Sequence, residues 1–169
     1  MSEQLLSIEE LSVSLPPGSD RPYAIENISL ALHSGETVCV VGESGSGKSL
    51  TAKAIMALLP APHVKVSAGR INFGKEDLVK ANYERIRQIR GSEISMIFQE
   101  PMTALNPVMT IGSQIDEIFR FHANMNANER REKAVDLLND VNLPDPKQIV
   151  NAYAHELSGG QRQRAMIAM

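Results

Sequence analysis

A glycine-rich octapeptide that follows an apolar run constrains the fold more than any other feature of this sequence. Residues 42–49 read GESGSGKS and match the pattern G-x-x-x-x-G-K-[ST]. They follow Thr37–Val41, a short β-branched run that is typical of a strand buried on both faces. An apolar stripe from about Ser49 onward predicts a helix that Pro60 ends. Strand, glycine loop and helix in this order predict an α/β fold with a phosphate-binding loop.

The residue types in this loop suit a phosphate chain. Glycines let the backbone turn so that successive N–H groups point at one anion, and the helix N-terminus adds partial positive charge. We expect Lys48 to reach the β- and γ-phosphates and the Ser49 hydroxyl to ligate Mg²⁺. An unliganded glycine-rich turn is the alternative, and the flanking strand and helix disfavour it. The predicted nucleotide-binding residues are Gly42, Glu43, Ser44, Gly45, Ser46, Gly47, Lys48 and Ser49.

Composition and charge narrow the class of protein. A chain of 169 residues, 43% hydrophobic and 22% charged, is typical of one globular domain. A net charge of −3 argues against a general nucleic-acid binder. The N-terminus has no basic, signal-like start, and no apolar run approaches the roughly 18 residues of a membrane span, so we expect a cytoplasmic protein. The single cysteine, Cys39, excludes an intramolecular disulfide, and its apolar neighbours predict a buried structural thiol.

A second glycine motif, LSGGQ at Leu157–Gln161, precedes the helical run Arg162–Met169. Ser158 is the predicted N-cap and Gln161 stands three positions later, so the two can form a capping box. Gly159 and Gly160 would leave the first-turn N–H groups uncovered, and such a helix tip can hold an anion. Taken alone, the motif also fits an ordinary capped helix start.

Hydrophobic periodicity and turn residues predict the remaining elements. The predicted strands are Leu5–Leu15, Ile25–Leu32, Gly69–Phe73 and Glu93–Phe98, and the predicted helices are Leu78–Arg90, Ile111–His122 and Asn128–Val141.

The two glycine motifs together resemble the ATP-binding cassette (ABC) family, in which LSGGQ is the signature motif. Between them, Phe98–Pro101 looks like the family's Q-loop, and the resemblance implies that Gln99 reaches the Mg²⁺ and the attacking water. The stretches GESGSGKS, IFQEPMTALNP and ELSGGQRQR are similar to the subfamily that powers uptake of di- and oligopeptides, glutathione or nickel.

The resemblance implies a P-loop NTPase of ABC type, with an N-terminal antiparallel β subdomain, a partial RecA-like core and a helical subdomain. Residues 1–100 would form the β subdomain and the P-loop core with the Q-loop, 101–157 the helical subdomain and 158–169 the start of the signature helix. The family usually stacks an aromatic on adenine, and Tyr23 is the nearest candidate, with a strand-edge tyrosine as the alternative.

Family members continue into a strand with the Walker B aspartate, a catalytic glutamate and a switch histidine, and these are not among the 169 residues. The sequence therefore resembles the N-terminal portion of a cassette, truncated before the Walker B strand. His155, beside the signature motif, is expected at the surface. We expect this polypeptide to bind nucleotide without hydrolysing it at a useful rate.

The function implied by the resemblance is that of the ATP-binding subunit of an importer, with ATP and Mg²⁺ as cofactors. Two cassettes would enclose ATP between the P-loop of one and Ser158, Gly159, Gly160 and Gln161 of the other. The implied partners are a second ABC subunit, two membrane permeases that make contact near Asn106–Pro107, and an external solute-binding protein. The subunit would then lie at the cytoplasmic face of the membrane, with no nucleic acid bound.

Two other functions stay open. One is a DNA-repair or translation ATPase, which the compact segment between Gln99 and Leu157 disfavours. The other is a non-catalytic remnant.

Overall fold

The computed structural model describes residues 3–98 and 105–169. The chain divides into two compact units, Met1–Ile94 and Ser95–Met169. Gln99, the predicted Q-loop glutamine, lies outside the described residues.

The first unit contains an antiparallel four-stranded sheet in the order β2-β1-β3-β4 and two short helices. In the chain, one helix lies between β2 and β3 and the other follows β4. Its strands are β1 (Gln4–Ser14), β2 (Tyr23–His33), β3 (Lys65–Phe73) and β4 (Glu76–Asp77), and its helices are α1 (Lys48–Ile55) and α2 (Tyr83–Ile89).

A bulge in β1 keeps the apolar residues of this central strand on one face. Ile8 and Leu11 are three positions apart, yet both are buried, and the pairing register with β2 shifts between them. Glu10 has a positive φ of 48° at this point, as expected of one extra residue in a strand. On β3, a Cβ at Gly69 would lie 2.5 Å from the Glu10 carbonyl oxygen, so the bulge requires glycine opposite it.

The prediction of a strand at Thr37–Val41 is wrong, because the structure has no strand there. These residues have no regular secondary structure, Val41 is 91% exposed, and Cys39 is exposed rather than buried. A β-branched run becomes a strand only beside a neighbour that accepts its hydrogen bonds. Among residues 3–98 and 105–169, no strand pairs with this segment.

The predicted strand Glu93–Phe98 is also wrong, because only Ile94 forms a bridge, a single isolated one with Arg90. The helix predicted for Leu78–Arg90 is shorter than expected. It begins after Asn82, whose side chain accepts a hydrogen bond from the Arg85 N–H and so caps the helix. The helix after the glycine loop likewise ends at Ile55, before Pro60.

The second unit is helical. It contains α3 (Ile111–His122), α4 (Ala127–Asp140), α5 (Pro146–Ile149), a 3₁₀ turn (Ala154–Glu156) and α6 (Gly159–Ile167). Helix α3 has the predicted bounds, and α4 differs by one residue at each end. The centre of the hydrophobic core of the second unit is formed by Ile111, Ile115 and Leu138. None of the helices described is long and apolar enough to cross a membrane.

A charged pair joins α3 to α4 beside this core. Arg130 Nε donates to Asp116 Oδ1, and Arg130 Nη1 donates to the Met125 carbonyl oxygen at 2.7 Å. The hydrogen bond from Arg130 holds the pKa of the Asp116 carboxyl below its ordinary value, and the charge of Arg120 adds to the effect. The packing of α3 against α4 is therefore stabilised by a polar contact as well as by apolar side chains.

Candidate nucleotide-binding site

The glycine loop lies so close to β2 that a side chain would not fit at its last glycine. Gly47 is the N-cap of α1 with φ 94°, a region that favours glycine. A Cβ at this position would lie 2.9 Å from Ile25 Cγ1 and 3.0 Å from the Ala24 carbonyl oxygen. The start of α1 is therefore fixed against the sheet by a contact that only glycine permits.

The first half of the loop folds back on itself. The Ser46 N–H donates to the Glu43 carbonyl oxygen at 3.2 Å and closes a tight turn. A Cβ at Gly42 would lie 2.8 Å from Ser46 Oγ, so a larger residue at the beginning of the loop would displace the Ser46 hydroxyl. The result is a compact ring of backbone that ends at the N-terminus of a helix.

Lys48 fills the middle of this ring. Its Nζ donates to the carbonyl oxygens of Gly42 at 2.8 Å and Glu43 at 2.7 Å, and to Ser46 Oγ at 3.1 Å. An ammonium has three donors, and these contacts engage all of them. The ammonium of Lys48 is thus surrounded by loop atoms. An anion that enters the loop would compete with two neutral carbonyl oxygens for the hydrogen bonds of this ammonium.

The N-terminus of α1 provides further donors. Gly47 has no side chain to cap the first turn, which contains no acidic residue. The first N–H groups of a helix lack intrahelical acceptors, and the helix dipole makes this end partly positive. At the other end of α1, Arg90 donates to the carbonyl oxygens of Met56 at 2.9 Å and Ala57 at 2.8 Å. Both ends of the helix are therefore anchored within the first unit.

The side chains near the loop could also help to hold a Mg²⁺ ion that is bound mainly by the phosphates. The Ser49 side chain is exposed in the first turn of α1, where its hydroxyl is a hard oxygen ligand. The described residues contain no cluster of three or more histidine, cysteine or acidic side chains that could hold a metal by themselves. Magnesium commonly takes one or two protein ligands and completes its shell with water and substrate phosphates.

A cavity of about 430 Å³ opens beside the loop and includes Tyr23, Val40, Val41 and Lys48 in its lining. Tyr23 is 38% exposed at the beginning of β2. The structure thus brings Tyr23 and Lys48 to one cavity, while the adenine-stacking role of the tyrosine stays a prediction.

The sequence interpretation did not identify Arg21, which lines the same cavity and donates from Nη2 to the Gly45 carbonyl oxygen at 2.8 Å. No motif marks this position. In the sequence, Arg21 is simply a cation two positions before β2, the strand that precedes the glycine loop in the chain. Cations in such positions are common on protein surfaces.

The LSGGQ motif forms the predicted capping box in the second unit. Ser158 Oγ accepts from the Gln161 N–H at 3.3 Å, and Gln161 Oε1 accepts from the Ser158 N–H at 2.8 Å. A Cβ added to Gly159 or Gly160 would meet nothing within 4 Å, so the tip of α6 is open on the side of both glycines. His155 is exposed, as predicted, and stacks on Tyr153 with ring centroids 5.6 Å apart.

A family model for the ABC transporter matches residues 25–169, which include both glycine motifs. The chain belongs to the ABC transporter family. The fold expected from the resemblance is confirmed by solved ABC cassettes. The dimeric structure of the bacterial ABC transporter cassette MJ0796 is 27% identical with a TM-score of 0.83, and the match covers 97% of this chain and 68% of that one. A post-hydrolysis structure of the same cassette with ADP and Pi gives a TM-score of 0.79 at 25% identity, with the same coverage.

Curated relatives of this ABC chain are named as peptide transport proteins. The probable D,D-dipeptide transport ATP-binding protein DdpD of Escherichia coli (strain K12) is 46% identical over 100% of the chain and 52% of its own length. The dipeptide transport ATP-binding protein DppD of Bacillus subtilis (strain 168) is 44% identical over 99% of the chain and 50% of its own length. The chain therefore spans about half the length of these relatives.

Proposed function

We propose that this chain is the nucleotide-binding portion of an ABC importer subunit that couples ATP binding and hydrolysis to uptake of peptides or a similar small solute. The observation that carries the proposal is the glycine ring around Lys48, which ends at the uncapped N-terminus of α1. Similarity over the whole chain to proteins named for dipeptide transport supports the choice of solute class.

In the proposed complex, the phosphates of ATP displace the loop carbonyls from Lys48 and accept its hydrogen bonds. The backbone N–H groups of residues 42–49 and the N-terminus of α1 surround the same phosphates. Ser49 would hold the Mg²⁺, whose charge offsets that of the β- and γ-phosphates. Gln99 is proposed as the second protein contact to the metal and water, and Tyr23 as the stacking partner of adenine.

Lys48→Ala tests the phosphate grip. Because a hydrogen bond to a charged group contributes about 1.5–3 kcal/mol, we expect ATP to bind roughly 10- to 150-fold more weakly. Lys53→Ala, which removes the same kind of side chain from the last turn of the same helix, is the matched control and should bind ATP like wild type. A fluorescent-nucleotide titration with Mg²⁺ measures both variants. Equal affinity of Lys48→Ala and wild type would contradict the phosphate-binding assignment.

The tip of α6 is proposed to meet the ATP held by a second ABC subunit. The capping box engages Ser158 and Gln161, while the open side of Gly159 and Gly160 gives a phosphate group access to the first turn. The γ-phosphate would then be shared between the glycine loop of one subunit and the signature tip of the other.

Gly159→Asp tests this shared site, with Gly159→Asn as a control of equal shape and no charge. An aspartate in a first helical turn is favourable for the helix, so the fold should persist. Its charge would repel the partner's γ-phosphate, and we expect ATP binding to a single chain to be retained while ATP-dependent dimerisation is lost. Light scattering with ATP measures the dimer. Normal dimerisation of Gly159→Asp, or equal loss in both variants, would contradict an electrostatic role at this position.

We also propose that a polypeptide of these 169 residues binds ATP but does not turn it over at a useful rate. Phosphoryl transfer needs groups that hold the metal and orient the water, and the Walker B and catalytic carboxylates of the family are not among these residues. Phosphate release at saturating Mg-ATP measures this property. Turnover that Lys48→Ala abolishes would contradict the proposal.

The partners proposed for the subunit are two membrane permeases and an external solute-binding protein, with the segment around Asn106–Pro107 and the helices that follow it as the candidate permease contact. The subunit would lie peripherally at the cytoplasmic face of the membrane. A DNA-repair or translation ATPase is disfavoured because the relatives named above are all transport proteins.

A further inference from the structure

The connection between β1 and β2 carries a cation that reaches the glycine loop. Arg21 stands near the end of this connection, which the Leu15 N–H and the Pro22 carbonyl oxygen close at its base with a 2.9 Å hydrogen bond. A second bond, from the Ser19 N–H to the Pro16 carbonyl oxygen at 3.2 Å, forms a turn inside it. Proline rigidity and these bonds hold the backbone beneath Arg21 in place.

The Arg21 guanidinium contacts the apex of the glycine loop. Its Nη2 donates to the Gly45 carbonyl oxygen at 2.8 Å, and Gly45 has a positive φ of 82°. The Gly45 carbonyl and the Ser46 N–H belong to one planar trans peptide unit, so they point in opposite directions. Holding the carbonyl outward toward Arg21 therefore directs the Ser46 N–H inward, where it donates to the Glu43 carbonyl oxygen at 3.2 Å.

We propose that Arg21 is a positioning residue for polyphosphate binding, because it sets the orientation of the peptide unit that carries the Ser46 N–H donor. This inference rests on the proposed function of the loop. Among the residues of 3–98 and 105–169 that line the cavity beside the loop, Arg21 and Lys48 are cations and Glu26 is the one carboxylate, so this part of the lining favours a negatively charged ligand. The guanidinium has five donors, and the bond to Gly45 uses one of them.

Arg21→Ala should weaken binding of both Mg-ATP and inorganic tripolyphosphate roughly three- to tenfold, as expected for loss of one hydrogen bond that orients the loop. Arg21→Lys keeps the charge and a donor, and it should recover part of the affinity. The matched control is Arg87→Ala on α2, which removes an exposed arginine paired with Glu84 at 3.0 Å and should change neither affinity.

The amide resonance of Ser46 gives a readout of this peptide unit that does not depend on ligand binding. In ¹⁵N–¹H spectra of the nucleotide-free chain, Arg21→Ala should shift the Ser46 amide and leave the resonances of β1 and α2 in place. Arg87→Ala should leave Ser46 unchanged.

Three results would overturn the role of Arg21. They are an unshifted Ser46 amide, tripolyphosphate affinity equal to wild type in Arg21→Ala, and equal weakening by Arg87→Ala. If Lys48→Ala weakens binding and Arg21→Ala does not, the role of Arg21 fails while the proposed function stands. If wild type binds neither ATP nor tripolyphosphate, the proposed function fails and the role of Arg21 fails with it.

Discussion

The contact between Gly47 and β2 is the constraint on which the rest of the candidate site depends. A residue with a Cβ would approach Ile25 Cγ1 to 2.9 Å, and the positive φ of Gly47 adds backbone strain for any other residue. Because glycine is tolerated there, α1 can begin directly against the sheet. The ring of residues 42–47 is then closed between a fixed helix start and its own turn at Ser46.

Charge compensation in the ring follows from this geometry. The backbone carbonyls of Gly42 and Glu43 face the interior and would repel a phosphate, and Lys48 Nζ binds both. Outside the ring, Arg21 binds the Gly45 carbonyl oxygen, so this carbonyl points out of the ring and the Ser46 N–H of the same peptide unit points into it. The two cations thus act on opposite sides of one loop, Lys48 as the direct counter-charge and Arg21 through the backbone. The open tip of α6 is the other helix end that we propose to attract an anion, and it is built by a capping box instead of a cation.

Sequence reasoning succeeded where the signal was local. The capping box of Ser158 and Gln161 and the bounds of α3 depend on neighbouring residues, so the pattern contained the information. The same is true of the exposed position of His155.

Sequence reasoning failed where an element depends on a partner distant in the chain. Thr37–Val41 has the composition of a buried strand, but composition cannot supply the neighbouring strand, and Cys39 is exposed as a consequence. The contact of Arg21 with Gly45 joins residues 24 positions apart and has no sequence signature. The bulge at Glu10 was hidden for a related reason, because its glycine partner, Gly69, lies on another strand.

A crystal structure of the chain with Mg²⁺ and ATP would show directly where Lys48 Nζ donates its hydrogen bonds. We expect Nζ to leave the carbonyl oxygens of Gly42 and Glu43 and to lie within about 3 Å of a β- or γ-phosphate oxygen, with Ser49 Oγ at the Mg²⁺. ATP bound elsewhere, with Lys48 still on both loop carbonyls, would contradict this expectation.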